Sequence, residues 1–369
     1  MLKRFPKKRK KALVFSVIIT IILVIIYILF LDFSENKYFL NNDNIKDVDL
    51  DNPINLVSKM IDGDITNDSL YVLRSKINIE KANYAEAMKD LNQAILLDST
   101  NGTAHYLLAD ILLELAKSGK GSEESVRISS FHFKSAIKYG SDSALAYQKD
   151  ARISMSFQDY NDAIVLLSKS LSVNDSDVNT FILLGNCYRK LNNLDNAIVS
   201  FRKAISLNKQ SDEAYVQLGQ LFWEQKDSKS IHYYDSAIAI NPNNRDAYYN
   251  LGLVYHALND YSRSQEAYHK ILEFEIRDRY FVEANYNLAL MFMDDLKDYK
   301  NALNNYLIEL IRVNPNHYLA YFRIAICYQT LGDVRNAEQY YRKTLEINPE
   351  FKEAKNKLTK LLSDNEKYK

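Results

Sequence analysis

From Asp68 to Phe351 a pattern of small and aromatic residues returns about every 34 residues, and a period of that size points to a stack of like supersecondary units. Arg245 to Asp278 shows it plainly: Tyr248, Leu251, Gly252 and Tyr255 mark one helix, and Tyr261, Ala267 and Tyr268 lie in the next. Val178 to Ser211 keeps the order with Phe181, Leu184, Gly185 and Tyr188, then Ala197, Phe201 and Ala204. Tyr318 to Phe351 repeats it with Tyr321, Ile324, Ala325 and Tyr328, then Ala337, Tyr341 and Pro349. Only nine glycines and five prolines punctuate the 369 residues, which favours continuous helix over a sandwich or barrel.

These residues have a physical reason. Gly185, Gly219 and Gly252, with Ala109, Ala151, Ala289 and Ala325 at the same place, leave room for the second helix of each unit to cross the first closely. Ala87, Ala163, Ala197, Ala302 and Ala337 are the matching small residues on that second helix. Rings such as Tyr188, Phe222, Tyr255, Phe292 and Tyr328 fill the space between layers, where each buries roughly 150–250 Å². Much of the excess of tyrosine, 27 residues, is therefore core.

In this order of residues the sequence resembles the tetratricopeptide repeat family, whose pattern is W-x2-L-G-x2-Y followed by A-x3-F, a small residue and P. About eight units start near Asp68, Gly102, Ala144, Val178, Asp212, Arg245, Val282 and Tyr318. The resemblance implies an all-α fold, a right-handed α-solenoid of about eight helix pairs; the sequence adds a C-terminal capping helix after it and one transmembrane helix before it. Four units depart from the pattern. The second carries extra residues, SGKGSEES, at Ser118 to Ser125; the fifth is one residue short, with Ser228 and Ser230 in place of an aromatic and an alanine; the seventh is slightly long. The first unit has Arg74, Ser75 and Asn78 where Leu, Gly and Tyr are expected.

Ala12 to Leu31 reads ALVFSVIITIILVIIYILFL, an uncharged run that spans about 30 Å as a helix and matches a bilayer core. Lys3, Arg4, Lys7, Lys8, Arg9, Lys10 and Lys11 precede it, and Asp32 and Glu35 follow. The positive-inside rule then keeps the N-terminus in the cytoplasm and exports the repeats, to the periplasm if the cell has two membranes. The length of the run, and the absence of a small-x-small pair after Phe30 and Leu31, favour an uncleaved anchor over a signal peptide. The sequence thus divides into a basic N-terminus (1–11), a span (12–31), a polar tether (32–67), the repeats (68–351) and a capping helix with its tail (352–369). A short helix from Pro53 to Ile61, with Asn52 as its cap, is expected within the tether.

Although lysine plus arginine equal aspartate plus glutamate at 47 each, the seven basic residues at the N-terminus leave the chain beyond Asp32 with a net charge of about −7. An acidic body argues against nucleic acid as partner. Cys187 and Cys327 occupy one position of two repeats four units apart, too distant for a disulfide. The sequence has no phosphate-binding glycine loop, no zinc motif and no nucleophile elbow, and its six histidines fall singly. The expectation is a non-enzyme with no catalytic residues, metal, cofactor or small-molecule substrate.

A repeat stack instead offers an extended face lined by its first helices. In the family resembled, that face is lined chiefly by residues one, five and eight places after the first aromatic. Carried over, the later units contribute Trp223, Tyr249, Leu253, His256, Tyr286, Leu290, Met293, Phe322 and Ile326, an apolar and aromatic strip expected to take a protein or peptide. Several of these residues also stand where they can pack against neighbouring first helices. The earlier units offer Lys76, Glu80, Asp110, Glu114, Arg152, Asn186, Arg189 and Lys190. A carboxylate clamp known in the family is incomplete here: Asn287 and Arg323 are present, but Tyr249, Leu253 and Leu319 replace the other members. The expected role is a membrane-anchored scaffold or adaptor, with a tethered holdase for exported proteins as the alternative and a subunit of an envelope enzyme complex behind both.

Overall fold

A computed structural model describes residues 53–140, 143–274 and 276–366, all in helices and the turns between them. The expected span at Ala12 to Leu31 lies outside the described residues, and so does the tether as far as Asn52. Among the described residues no helix is long and apolar enough to cross a membrane.

The chain forms two compact units, divided after Asp142. The first holds helix Pro53–Gly63 and the pairs Asp68–Glu80 with Tyr84–Leu97 and Gly102–Lys117 with Glu123–Lys138. Val57 and Ile61 share a core with Leu70, Tyr71 and Val72, so among the described residues the packed part of this unit reaches back from Asp68 to the expected helix at Pro53. Arg74 explains how the atypical first repeat holds together. Its guanidinium grips Asp90 on the second helix through two bonds of 2.9 and 2.6 Å and reaches Ser58 at 3.0 Å, an ionic crossing where other repeats have an apolar one.

The second unit stacks six pairs and a final helix. Ser143–Ser156 pairs with Tyr160–Val173, Val178–Lys190 with Leu194–Leu207, Asp212–Glu224 with Lys229–Ile240, and Arg245–Ala257 with Tyr261–Glu273. Arg279–Leu290 follows, then Tyr318–Thr330 with Val334–Ile347, and Lys352–Glu366 covers the end through Ala354, Leu358 and Leu361. Boundaries are set locally. Asp177, Asn193, Asn244, Asp260 and Asp333 each accept a bond from the backbone N–H three residues on, which stops the preceding loop from continuing as helix. Gln158, Asn192, Lys226, Asn259, Lys297 and Gly332 adopt positive φ at the turn inside each pair, ending the first helix.

The crossings are as tight as the small residues imply. A Cβ on Gly219 would stand 2.7 Å from Tyr234 Cε1, and Gly185 and Gly252 meet the rings of Phe201 and Tyr268 in the same way. Cys187 and Cys327 are buried free thiols, raised by burial to about 11 and about 12, and behave as small core residues.

The seventh repeat, 282–317, has two residues more than the eighth, and the structure shows where they go. Each of its helices takes up one of them as a π turn, at Met291–Asp295 and at Ala302–Leu307. The second helix resumes as Ile308–Val313.

Candidate partner-binding face

Within the second unit, first helices of successive repeats touch one another from Val178–Lys190 through to Arg279–Leu290, so their outer residues form one continuous face. The expected strip from Trp223 to Leu290 lies on it, with Phe322 and Ile326 on the first helix of the following repeat, but less openly than the sequence suggests. Trp223 is half-buried against the core that contains Tyr234 and Leu251. Tyr249 is covered by Tyr280 at 5.9 Å between centroids, and Tyr286 by His317 at 5.2 Å. Leu253, Leu290 and Ile326 are half-buried.

Two members must be removed from the strip. Phe322 is 2% exposed, since Phe351 closes over it edge-on at 5.0 Å and Tyr341 lies at 5.8 Å. Met293 is 1% exposed, because the π turn rotates it into the core. Asp294 then takes the outward place that an uninterrupted α-helix would have given Met293, and it faces Arg323 at 3.7 Å. A ring at the junction to the following repeat or capping helix thus covers each of Tyr249, Tyr286 and Phe322, to a degree that periodicity alone does not reveal.

His256 does point outward, but it is engaged. Its Nε2 donates to Asp295 Oδ2 at 2.8 Å, and Tyr261 donates to Asp295 Oδ1 at 3.2 Å. Asn287 turns inward, donating to Tyr268 at 3.3 Å and to Tyr249 at 3.5 Å. With Arg323 facing Asp294, both residues shared with the carboxylate clamp are held within the chain.

Sequence reasoning missed a polar stretch of the same face. Arg189 Nη1 crosses to the next first helix, donating to Gln220 Oε1 at 3.1 Å and Glu224 Oε1 at 3.2 Å. Beneath it Tyr234 is fully buried, and burial pushes its phenol well above the usual range, so it stays a proton donor. The sequence places Asn186 and Arg189 on this face, but it does not single out Tyr234. Among the described residues no cluster of three His, Cys, Asp or Glu side chains is placed to hold a metal ion.

Helix pairs crossing at small residues, joined by tight turns and stacked so that first helices share a face, define a helical-repeat protein whose fold serves protein interaction. The repeats are tetratricopeptide repeats. The family described as TPR repeat matches residues 185–226 and 224–259, and the family described as tetratricopeptide repeat matches 318–351, 68–101 and 246–275. Human protein O-mannosyl-transferase TMTC3 is 26% identical over 219 residues, 55% of this chain and 24% of that protein. The bovine BBSome complex member BBS4 is 31% identical over 105 residues, 28% of this chain and 20% of that protein. Among solved structures, yeast Tom70 superposes with a TM-score of 0.53 at 17% identity, covering 77% of this chain and 61% of that one, which concerns the fold alone.

The chain therefore spans about a quarter or less of the length of these curated relatives. They also correct one expectation. The chain was read as a non-enzyme because its repeats leave no recognisable catalytic motif, yet the human and mouse proteins that match these repeats are named as transferases. Repeats of this kind do occur within proteins named as enzymes, so their presence does not set the chain apart from that class.

Proposed function

We propose that the chain is a membrane-anchored scaffold that receives a segment of a partner protein on the face of its first helices. The observation that carries this reading is the row of half-buried Tyr249, Leu253, Tyr286, Leu290 and Ile326 on three successive repeats. Side chains of this kind retain apolar area to offer while their neighbours already hold them in place, so little rotamer freedom is lost on binding. The uncharged run Ala12 to Leu31 supplies the anchor, and the basic residues before it direct the repeats to the exported side. The test is a photo-crosslinking residue at Leu253 of the full chain in its native membrane, with one at exposed Leu96 as control. A discrete protein captured at Leu253 and not at Leu96 supports the assignment; equal capture at both removes it.

A second reading draws on the likeness to protein O-mannosyl-transferases. The same face would then hold a protein acceptor for a transferase. Sugar transfer to a protein captured at Leu253 separates this role from plain scaffolding.

A further inference from the structure

The outer side of the first unit carries a row of side chains that its packing does not use. Ala87 and Ser129 are the crossing residues of its two second helices, Tyr84–Leu97 and Glu123–Lys138, and both are 0% exposed. Two, five and nine places beyond them stand Lys89, Asn92 and Leu96 on one helix and Phe131, Lys134 and Lys138 on the other, all exposed. This spacing keeps each set on one side of its helix. Leu96, at 77%, is the most exposed large apolar side chain among the described residues, and Phe131 is 62% exposed.

The row holds three lysines and no acid. Asp90 lies inward, 4% exposed and gripped by Arg74. The exposed acids Glu86, Glu123 and Glu124 keep to the first turns of these helices, where Glu123 is paired with Arg127 at 2.8 Å. From the fifth repeat onward the same positions bring Asp235, Glu266, Glu273 and Glu346 to the surface. The basic and apolar character thus belongs to the N-terminal repeats, nearest in the chain to the run Ala12 to Leu31.

We propose that this outer row of the first unit lies on an anionic lipid surface, that of the membrane into which the chain's own anchor inserts. Phe131 and Leu96 enter the boundary between headgroups and acyl chains, and Lys89, Lys134 and Lys138 reach the phosphates with their stems laid along the apolar surface. The lysines decide against a protein partner, since the buried centre of a protein interface is depleted of lysine. Twenty-one residues, Asp32 to Asn52, separate the anchor from Pro53 and reach at most roughly 75 Å. The contact rests on the proposed anchor, which makes it intramolecular, so weak individual attractions suffice.

The test places the full chain in nanodiscs of phosphatidylcholine, with or without phosphatidylglycerol, that contain a lipid bearing a nitroxide near its headgroup. A fluorophore on Asn92→Cys reports contact, and one on Gln339→Cys, exposed on the eighth repeat, is the control; Cys187 and Cys327 are buried. Quenching at Asn92→Cys is expected to be severalfold stronger with phosphatidylglycerol than without it, and quenching at Gln339→Cys to be the same in both lipids. Lys134→Glu with Lys138→Glu should remove that difference, and Phe131→Ser should reduce it, at an unchanged unfolding midpoint because all three side chains are exposed. Raising salt from about 0.1 to about 0.5 M should weaken it as well. Equal quenching of Asn92→Cys in both lipids, the same lipid dependence at both sites, or a double variant quenched as the wild type overturns the lipid assignment. No quenching at Asn92→Cys overturns it too, and leaves the face to a protein or to the acidic residues 32–52. The anchor is read separately. A chain that does not co-elute with phosphatidylcholine discs overturns the anchor, while quenching by the anionic discs would still support the face and its absence would still overturn it.

Discussion

His256 Nε2 donates to Asp295 Oδ2 at 2.8 Å, joining the first helix of the sixth repeat to the π turn of the seventh. Asp294, the preceding residue of that turn, faces Arg323 of the eighth repeat at 3.7 Å. One inserted residue thus places two adjacent carboxylates toward different neighbours while Met293 goes inward. Met293→Ala should therefore act on stability, costing about 2–5 kcal/mol as a buried cavity. A denaturant midpoint equal to the wild type would return Met293 to the surface and remove the π-turn account.

Gly252→Leu tests the crossings. Tyr268 already occupies the space into which a Cβ would project, and Tyr268 is itself 1% exposed, so the ring has nowhere to retreat. Overpacking of this kind costs roughly 1–3 kcal/mol, read as a lowered thermal midpoint. An unchanged midpoint would mean that the register of the repeat is misassigned.

The repeat register was legible because it depends on composition at fixed spacing: Gly185, Gly219 and Gly252 meet Phe201, Tyr234 and Tyr268 as the period requires. The seventh repeat could be read as long, but length does not say whether extra residues enter a loop or a helix. Here they entered helices, and only that choice decides that Met293 is core and Asp294 is surface. Phe322 was misplaced for a related reason, since its cover comes from Phe351, at the far end of the repeat in which it sits. Tyr234 carries no outward mark in the sequence, because a buried hydroxyl becomes informative only once its neighbours are seen to turn elsewhere.

The first unit should lose stability in mild acid. His105 Nε2 can only donate to the Ser99 carbonyl, at 3.2 Å, so its Nδ1 accepts from His132 Nδ1–H at 2.8 Å. Burial and the neighbouring His105 hold His132 down at about 4; Phe131 and Tyr139 stand against the pair. The unfolded chain then binds the extra proton first, so stability is full above about 6.5 and falls as pH drops toward 4. At about 1.4 kcal/mol per pKa unit, discounted because the ring is half-exposed, the loss is roughly 1–2 kcal/mol. Midpoints of wild type and His132→Phe at pH 7.5 and 4.5 check this. An equal fall in both proteins would assign the acid sensitivity to other groups.

Topology can be read with a single introduced thiol. Lys120→Cys is suited to this, because Lys120 is exposed in the turn before Ser122, whereas Ser122 caps the following helix and should be kept. Cys187 and Cys327 are buried with raised pKa values, so they give little background. A membrane-impermeant maleimide should label Lys120→Cys in cells whose inner membrane is intact, once any outer barrier is made permeable. Labelling that appears only after that membrane is broken would reverse the proposed orientation.

The apolar strip makes a last prediction, and burial divides its aromatic members into two kinds. Tyr249 and Tyr286 are half-buried, each touched by one ring at the junction to the following repeat, and both have a face left to offer. Phe322 holds the equivalent place but is closed over by Phe351 and Tyr341. Truncating the first two together should weaken capture of the partner by more than about 2 kcal/mol if either is a hot spot. Helical content should remain, since neither ring fills a crossing. Phe322→Ala should do the opposite, lowering the unfolding midpoint by the roughly 3–5 kcal/mol typical of a buried ring and affecting capture only through the unfolded fraction. If Tyr249→Ala with Tyr286→Ala keeps both helical content and wild-type capture, the partner does not bind on this strip, and the polar stretch around Arg189 becomes the place to look for it.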